Sequence, residues 1–403
     1  MLGAALLIIT ACGDPGSGAA PALAVERDTI ADTVVVRTLA GSVWGDSVQL
    51  VEELRIGQLD GDDAYTFGQV REMAVSSDGT IYVYDAAVRA LRAYDASGRY
   101  LRNIGAQGAG PGEYREIVGL AVDRDDRLLL RDPRLGRIAV FSSTGEPLAS
   151  WPMPSSLYTN DALRADTTGH VYARILTGAI EPGRAWPMGL ARLARDGRVV
   201  DTLPAPTWSE ARPNTAVYDP QVLWTWHPHG YFVTAFGARY AVDLRRPDAP
   251  VLRIERVNQP QIPVPADERA ELDSIFAALR RQQPSGGGEA PTPVPATKPL
   301  IRELATGADG RIWVRPYQPS VERAEPVDTT LPPERRPRRW TEPTVWDVFE
   351  SDGTYLGRVP LPGRATLHAM RGEHAWGTVR DGDDVPYLVR WRIQPVARPS
   401  APR

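Results

Sequence analysis

The chain has 403 residues, enough for one large domain or two ordinary ones, and its 46 Lys and Arg nearly balance 50 Asp and Glu, leaving a formal net charge of −4. That balance excludes the basic excess of a nucleic-acid binder. A single cysteine excludes an intrachain disulfide and a Cys-cluster metal site, while 36 Gly, 37 Pro, 11 Trp and 14 Tyr point to many short strands joined by tight turns.

The first element is an apolar run, LGAALLIITAC, ending at Cys12, the sole cysteine. It resembles the lipobox of bacterial lipoprotein signal peptides. The resemblance implies removal of residues 1–11, lipidation of Cys12, and a periplasmic or surface-exposed protein held in the cell envelope. The small-residue stretch GDPGSGAAPA follows, so residues 12–30 are expected to form a flexible tether. No other segment approaches the ~18 apolar residues that cross a bilayer.

From there the chain matches itself at a shift of 47 residues. Met73-Ala74-Val75 falls on Leu120-Ala121-Val122, Ile81-Tyr82-Val83 on Leu128-Leu129-Leu130, Asp85 on Asp132, and Ser97-Gly98 on Thr144-Gly145. Each unit reads as four strands, with Asp-Gly or Ser/Thr-Gly turns supplying the positive φ of tight hairpins. Looser copies begin near Leu163, Trp224, Glu303 and Leu367. The sixth copy ends one strand short, and LVEELRIG from Leu50 resembles the fourth strand of the first unit, YLRNIG. The ends are therefore expected to pair, with Leu50–Ile56 beside Tyr387–Ile393, which removes an exposed sheet edge. Four strands per unit at this period is propeller spacing. The expectation is an all-β, six-bladed propeller over residues 31–395, closed by an N-terminal strand, with residues 396–403 as a disordered tail.

The glycine-rich GAQGAGPGEY from Gly105 is then a connection between blades. A phosphate loop would open a helix and carry GK[ST], whereas IVGLAVDRDDRLLL has strand and turn character. GAGPGEYREIVGLAVDRDDRLLLRD followed by RIAVF looks like an NHL-type repeat of the six-bladed propeller superfamily. The resemblance implies fold far more than activity, since such propellers include lyases, lactonases, receptor ectodomains and interaction scaffolds.

Antiparallel four-stranded blades place the A–B and C–D turns on one face and the B–C and D–A loops on the other. All three long insertions (175–188, 258–299 and 316–344) fall on the B–C/D–A side. One-sided elaboration marks that side as the binding face. The second insertion carries a helix from Asp267, with Leu272, Ile275, Phe276 and Leu279 as its apolar stripe, followed by a Pro- and Gly-rich run.

Chemistry candidates are few. Tyr84, Arg131, Arg174, Thr234, Arg315 and Thr378 share one repeat position at the end of the second strand. Ring closure would aim the three arginines, with Tyr84, at the upper channel mouth, where they suit an anionic ligand. The alternative is that each pairs with a neighbouring Asp, such as Asp132, or covers an interblade seam. His227-Pro228-His229 reads as a surface turn, the Trp residues as packing, and no metal set, catalytic order or cofactor motif is legible. These features predict a monomeric binding module for a protein, peptide or glycan partner, with no nucleic-acid role. The alternatives are a metal-dependent lyase or lactonase working in the channel, and a structural envelope protein.

Overall fold

The computed structural model describes residues 22–45, 48–154, 163–181, 185–208, 217–282, 293–323 and 330–396. Cys12 and the expected signal peptide, most of the tether, and nearly all of the C-terminal tail lie outside them.

Five four-stranded antiparallel sheets and one six-stranded sheet, in which four antiparallel strands are extended by an N-terminal hairpin, form the six blades of a propeller. In the first, Val70–Val75, Ile81–Asp85, Ala90–Tyr94 and Tyr100–Asn103 follow one another as strands A to D. The second begins 49 residues on from Val70, with Gly119–Val122, and repeats the order. The sheets pack through buried apolar side chains at the seams. Tyr82, Tyr84 and Leu91 of blade one meet Leu120, Leu128 and Leu130 of blade two; Leu129, Ile138 and Val140 face Val171 and Ala173 of blade three. Period-2 alternation sends even positions of a blade one way and odd positions the other, so each sheet is buried on both faces.

The ring closes as expected. β3 (Val48–Ile56) is the outer strand of the sixth sheet, paired antiparallel with Pro386–Pro395, Leu50 opposite Ile393 and Ile56 opposite Leu388. At this closure Gly57 has φ +139°, and a Cβ there would lie 2.8 Å from the Tyr387 ring, which explains the glycine.

The expected tether is shorter than residues 12–30. β1 (Ala24–Ile30) and β2 (Thr33–Ala40) form a hairpin whose second strand runs parallel to Val251–Arg256, the outer strand of blade four. The continuous Val34-Val35-Val36 run supplies the reason, since the adjacent Val35 and Val36, on opposite faces of the strand, are both buried. The chain then passes over the rim of blade five, where the Trp44 N–H donates to the Leu356 carbonyl at 2.7 Å, before entering blade six as β3.

The one α-helix among the described residues, α1 (Ala266–Gln282), lies between blades four and five. Leu272 is buried and Phe276 partly so, both against Tyr218, Val264 and Val294, but Leu279 is 43% exposed and lies outside the stripe. Buried Glu268 takes part in the docked face instead.

Candidate functional site

The A–B connections, and the C–D connections of blades one to five, are short hairpin turns, and the long segments, with α1, all belong to B–C or D–A connections, which geometry puts on the opposite, loop face. A cavity of about 630 Å³ opens on that face over the seam between blades one and two. Its wall is built from strand A of blade one (Arg71), strand B (Tyr84), the B–C turn (Ala86, Arg89), the D–A segment (Gln107, Tyr114, Arg115, Glu116) and the B–C turn of blade two (Arg134).

Two repeat-equivalent aspartates shape it. The buried carboxylate of Asp85 accepts the backbone N–H groups of Gly68, Gln69 and Ala87 at 2.9 to 3.0 Å. Asp132, fully buried, accepts those of Arg115 at 2.7 Å, Arg134 at 3.0 Å and Leu135 at 3.2 Å. Each aspartate thus satisfies N–H groups that a tight connection leaves without ladder partners, and ties a D–A segment to the neighbouring B–C turn. Asp132 thereby fixes the backbone beneath two of the cavity's arginines. A β-bulge in blade one, where the pairing skips from Val70 to Glu72, pushes Arg71 out of the ladder.

The glycine-rich loop folds on itself to make the cavity floor. The Glu113 carboxylate accepts the Gly110 N–H at 2.7 Å, and a Cβ on Gly108 would overlap that carboxylate. Arg137 donates to the Gly110 and Glu113 carbonyls at 2.8 and 2.7 Å. Buried Tyr114 meets Tyr84 edge-on, and its hydroxyl accepts the Leu91 N–H at 2.9 Å. The Gly110 amide is thus already committed, in agreement with the reading of this loop as a connection.

Among the described residues, four guanidinium groups and one carboxylate line the cavity. Glu116 bridges Arg71 at 3.0 Å and Arg134 at 3.1 Å. The side chains of Arg89 and Arg115 are exposed and make no hydrogen bond or ion pair among the described residues.

The four residues proposed for the channel mouth are placed differently. Only Tyr84 lines the cavity. Arg131 is 1% exposed, on the face of blade two that meets blade three. Arg174 stacks on Trp224 of blade four, its guanidinium carbon 4.1 Å from the ring centroid. Arg315 pairs with Glu303 at 3.1 Å and donates to Thr344 at 3.2 Å within blade five. Strand B sits second from the axis with its side chains across the sheet plane, so equivalent positions point into successive seams and the arginines are not gathered at one mouth. Seam covering was the alternative that the sequence left open.

A second polar cluster lies under α1. Lys298, 1% exposed, pairs with Glu342 at 3.0 Å and donates to Ser320 and to the Gln318 carbonyl. Tyr218 donates to Glu268 of α1 at 2.5 Å, and Lys298 sits 3.8 Å from the same carboxylate. Burial, and then Glu268, hold the Tyr218 phenol well above its ordinary pKa. This cluster joins the loop before blade four, α1 and the long B–C loop of blade five.

Histidines contribute no metal set: among the described residues no group of three or more His, Cys, Asp or Glu is placed to hold a metal ion. His227, expected on a surface turn, is fully buried between blades four and five. His368 bulges from strand A of blade six, and its enclosed position pushes its pKa down to about 4.

This architecture defines a six-bladed β-propeller with one-sided loops. A family profile, DUF5128, described as a 6-bladed beta-propeller, matches residues 47–174. Among solved structures, a DUF4221 family member from Bacteroides vulgatus is similar with a TM-score of 0.54 at 11% identity, covering 86% of this chain and 98% of its own. A candidate exported protein from Bacteroides fragilis is similar with a TM-score of 0.50 at 9% identity, covering 90% of this chain and 99% of its own. A virginiamycin B lyase from Staphylococcus aureus follows at 0.39 and 11% identity, covering 86% and 99%. These likenesses concern fold. No curated protein matches the sequence.

Proposed function

We propose that the protein is a binding module that holds a protein, peptide or glycan partner on its loop face, and that a lipid on Cys12 keeps it at the outer side of a membrane. The observation that carries the reading is the confinement of the chain's elaboration to one face. The described parts of the three insertions, α1 and the arginine-lined cavity belong to that face, while the described connections of the other face are short turns. Repeat scaffolds present partners with the side they vary. The lipobox-like LGAALLIITAC supports the anchor, and among the described residues no helix is long and apolar enough to cross a membrane. The rival reading, a metal-dependent lyase or lactonase, needs several metal-ligating side chains converging on the axis, and the described residues offer no such group.

The test is recovery of partners from detergent-solubilised envelopes by the full chain and by a variant lacking 258–299, with a thermal melt confirming that the ring stays folded. Selective loss of a partner by the variant is expected; equal recovery removes the insertion as a recognition element. Cys12→Ser is expected to move the protein from the membrane fraction to the soluble fraction.

A further inference from the structure

We infer that the cavity over the seam of blades one and two is a binding site for a small ligand carrying two or more oxyanion groups, whether carboxylate, phosphate or sulfate. The inference deepens the binding reading of the loop face and rests on it for biological meaning, but its own support is local.

The first support is charge. Among the described residues, Arg71, Arg89, Arg115 and Arg134 converge on one cavity whose lining holds one carboxylate, Glu116. Like charges gathered this way repel one another, so an anion that enters relieves a cost already present in the folded protein.

The second support is the state of the donors. Glu116 occupies Arg71 and Arg134, whereas the Arg89 and Arg115 side chains carry donors that the described residues do not use. A guanidinium offers a fork of N–H groups matched to the paired oxygens of carboxylate, phosphate or sulfate, and two forks across one opening suit a ligand with two such groups.

The third support is rigidity. Asp132 holds the Arg115 and Arg134 backbone, and Asp85 holds the turn leading to Arg89. The cost of ordering the loops has therefore been met by folding and need not be met by the ligand. The volume, about 630 Å³, lies in the range of small-molecule pockets. Tyr84 and Tyr114 supply an apolar wall beside the charged rim.

The experiment is calorimetric titration of the full chain with citrate, pyrophosphate and sulfate, each at low salt and with added sodium chloride. Saturable 1:1 binding of at least one anion is expected, weakened by salt. The double variant Arg89→Gln, Arg115→Gln should weaken it by at least ~10-fold, about 1.4 kcal/mol, while Arg315→Gln on blade five leaves it unchanged. Citrate and pyrophosphate separate carboxylate from phosphate chemistry, and sulfate, with one oxyanion group, is the single-group control and is expected to bind more weakly. Absence of saturable binding by both citrate and pyrophosphate, or an affinity that the double variant leaves intact, overturns the inference. If the anions fail while partner recovery still depends on 258–299, the loop-face reading survives without this site. If the anions bind while partner recovery is indifferent to that insertion, the site stands without the reading.

Discussion

The Nε2 atom of His227 lies 2.9 Å from the carbonyl oxygen of Gly310, and its Nδ1 accepts the backbone N–H of His229 at 3.1 Å. One ring thus donates across the seam from blade four to blade five and accepts within its own turn, which only the neutral Nε2-protonated tautomer can do. The fit extends to the partner: Gly310 has φ +86°, and a Cβ there would come within 3.1 Å of the imidazole.

Acid should therefore loosen this seam. Burial drives the His227 pKa from 6.5 to about 4. Between those values the unfolded chain holds the additional proton, so stability is full above pH 6.5 and falls as pH drops through the window. The loss grows toward about 3 kcal/mol near pH 4. Denaturant melts at pH 7 and pH 4.5 should show a smaller acid penalty for His227→Gln, which can still donate to Gly310, than for the parent. Equal penalties would place the acid sensitivity elsewhere.

Closure depends on β3. A chain beginning at residue 58 leaves Pro386–Pro395 with an open edge. It should melt more than ~10 °C lower and elute from size-exclusion chromatography as oligomers, because unpaired edges recruit other chains. A chain beginning at residue 46 loses the β1–β2 hairpin and the Trp44 contact with blade five but keeps the ring closed, so it should melt above the chain beginning at residue 58.

Lys298 is expected to be the most sensitive position beneath α1. Lys298→Met leaves Glu268 without its cation and Glu342 with Arg302 alone, at 3.5 Å, and breaking a buried pair in this way costs about 3–5 kcal/mol. The triple variant Lys298→Met, Glu268→Gln, Glu342→Gln should cost less than the single one. Chemical denaturation gives the order of the two, and hydrogen exchange across α1 shows whether the loss is local.

Arg174 separates packing from ligand binding. Arg174→Ala should lower stability by ~1 kcal/mol through loss of its stack on Trp224 and leave citrate, pyrophosphate and sulfate titrations unchanged. A loss of anion affinity without a loss of stability would return this position to the binding machinery.

Asp132→Ala removes the acceptor of three backbone N–H groups in a fully buried position. Unmet buried donors cost about 1–3 kcal/mol each when water cannot reach them, so a melt should show substantial destabilisation. Anion affinity should fall with it, because Arg115 and Arg134 lose their footing. Asp132→Asn, which retains one acceptor oxygen, should recover part of both.

Much of the ring was readable because its signals are local and repeated. The pairing of Asp85 with Asp132 and of Tyr84 with Arg131 marks one position in successive blades, and the unfinished sixth unit called for β3. The β1–β2 hairpin was hidden by composition. Val34-Val35-Val36 lies outside the repeat, so nothing in the period announced a place for it on blade four. The site was hidden for another reason. Repeat alignment shows which residues are equivalent but not where a side chain points, and Arg131, Arg174 and Arg315 face three different seams. The cavity instead draws on Arg71, Arg89, Arg115 and Arg134, which occupy unlike positions of two units and meet only when the blades are set side by side. The one signal that pointed toward it was the repeat-matched aspartate at the end of strand B, whose task is to hold loops rather than ligand. His227 was misplaced because His-Pro-His looks like a turn, yet its first residue still belongs to strand Val222–His227.

The course of β1 sets how the ring would hang. It runs antiparallel to β2, and β2 runs with Val251–Arg256 toward α1, so Ala24 enters from the side where the insertions lie. An acylated Cys12 would be joined to that point by a leash of residues 13–23, reaching no more than ~40 Å at full stretch. The arginine-rich mouth would then look back toward the lipid headgroups, with the plain side turned away. Molecules that reach it would be those sharing the narrow layer next to the bilayer, so leash length, as much as pocket chemistry, would decide what this protein meets.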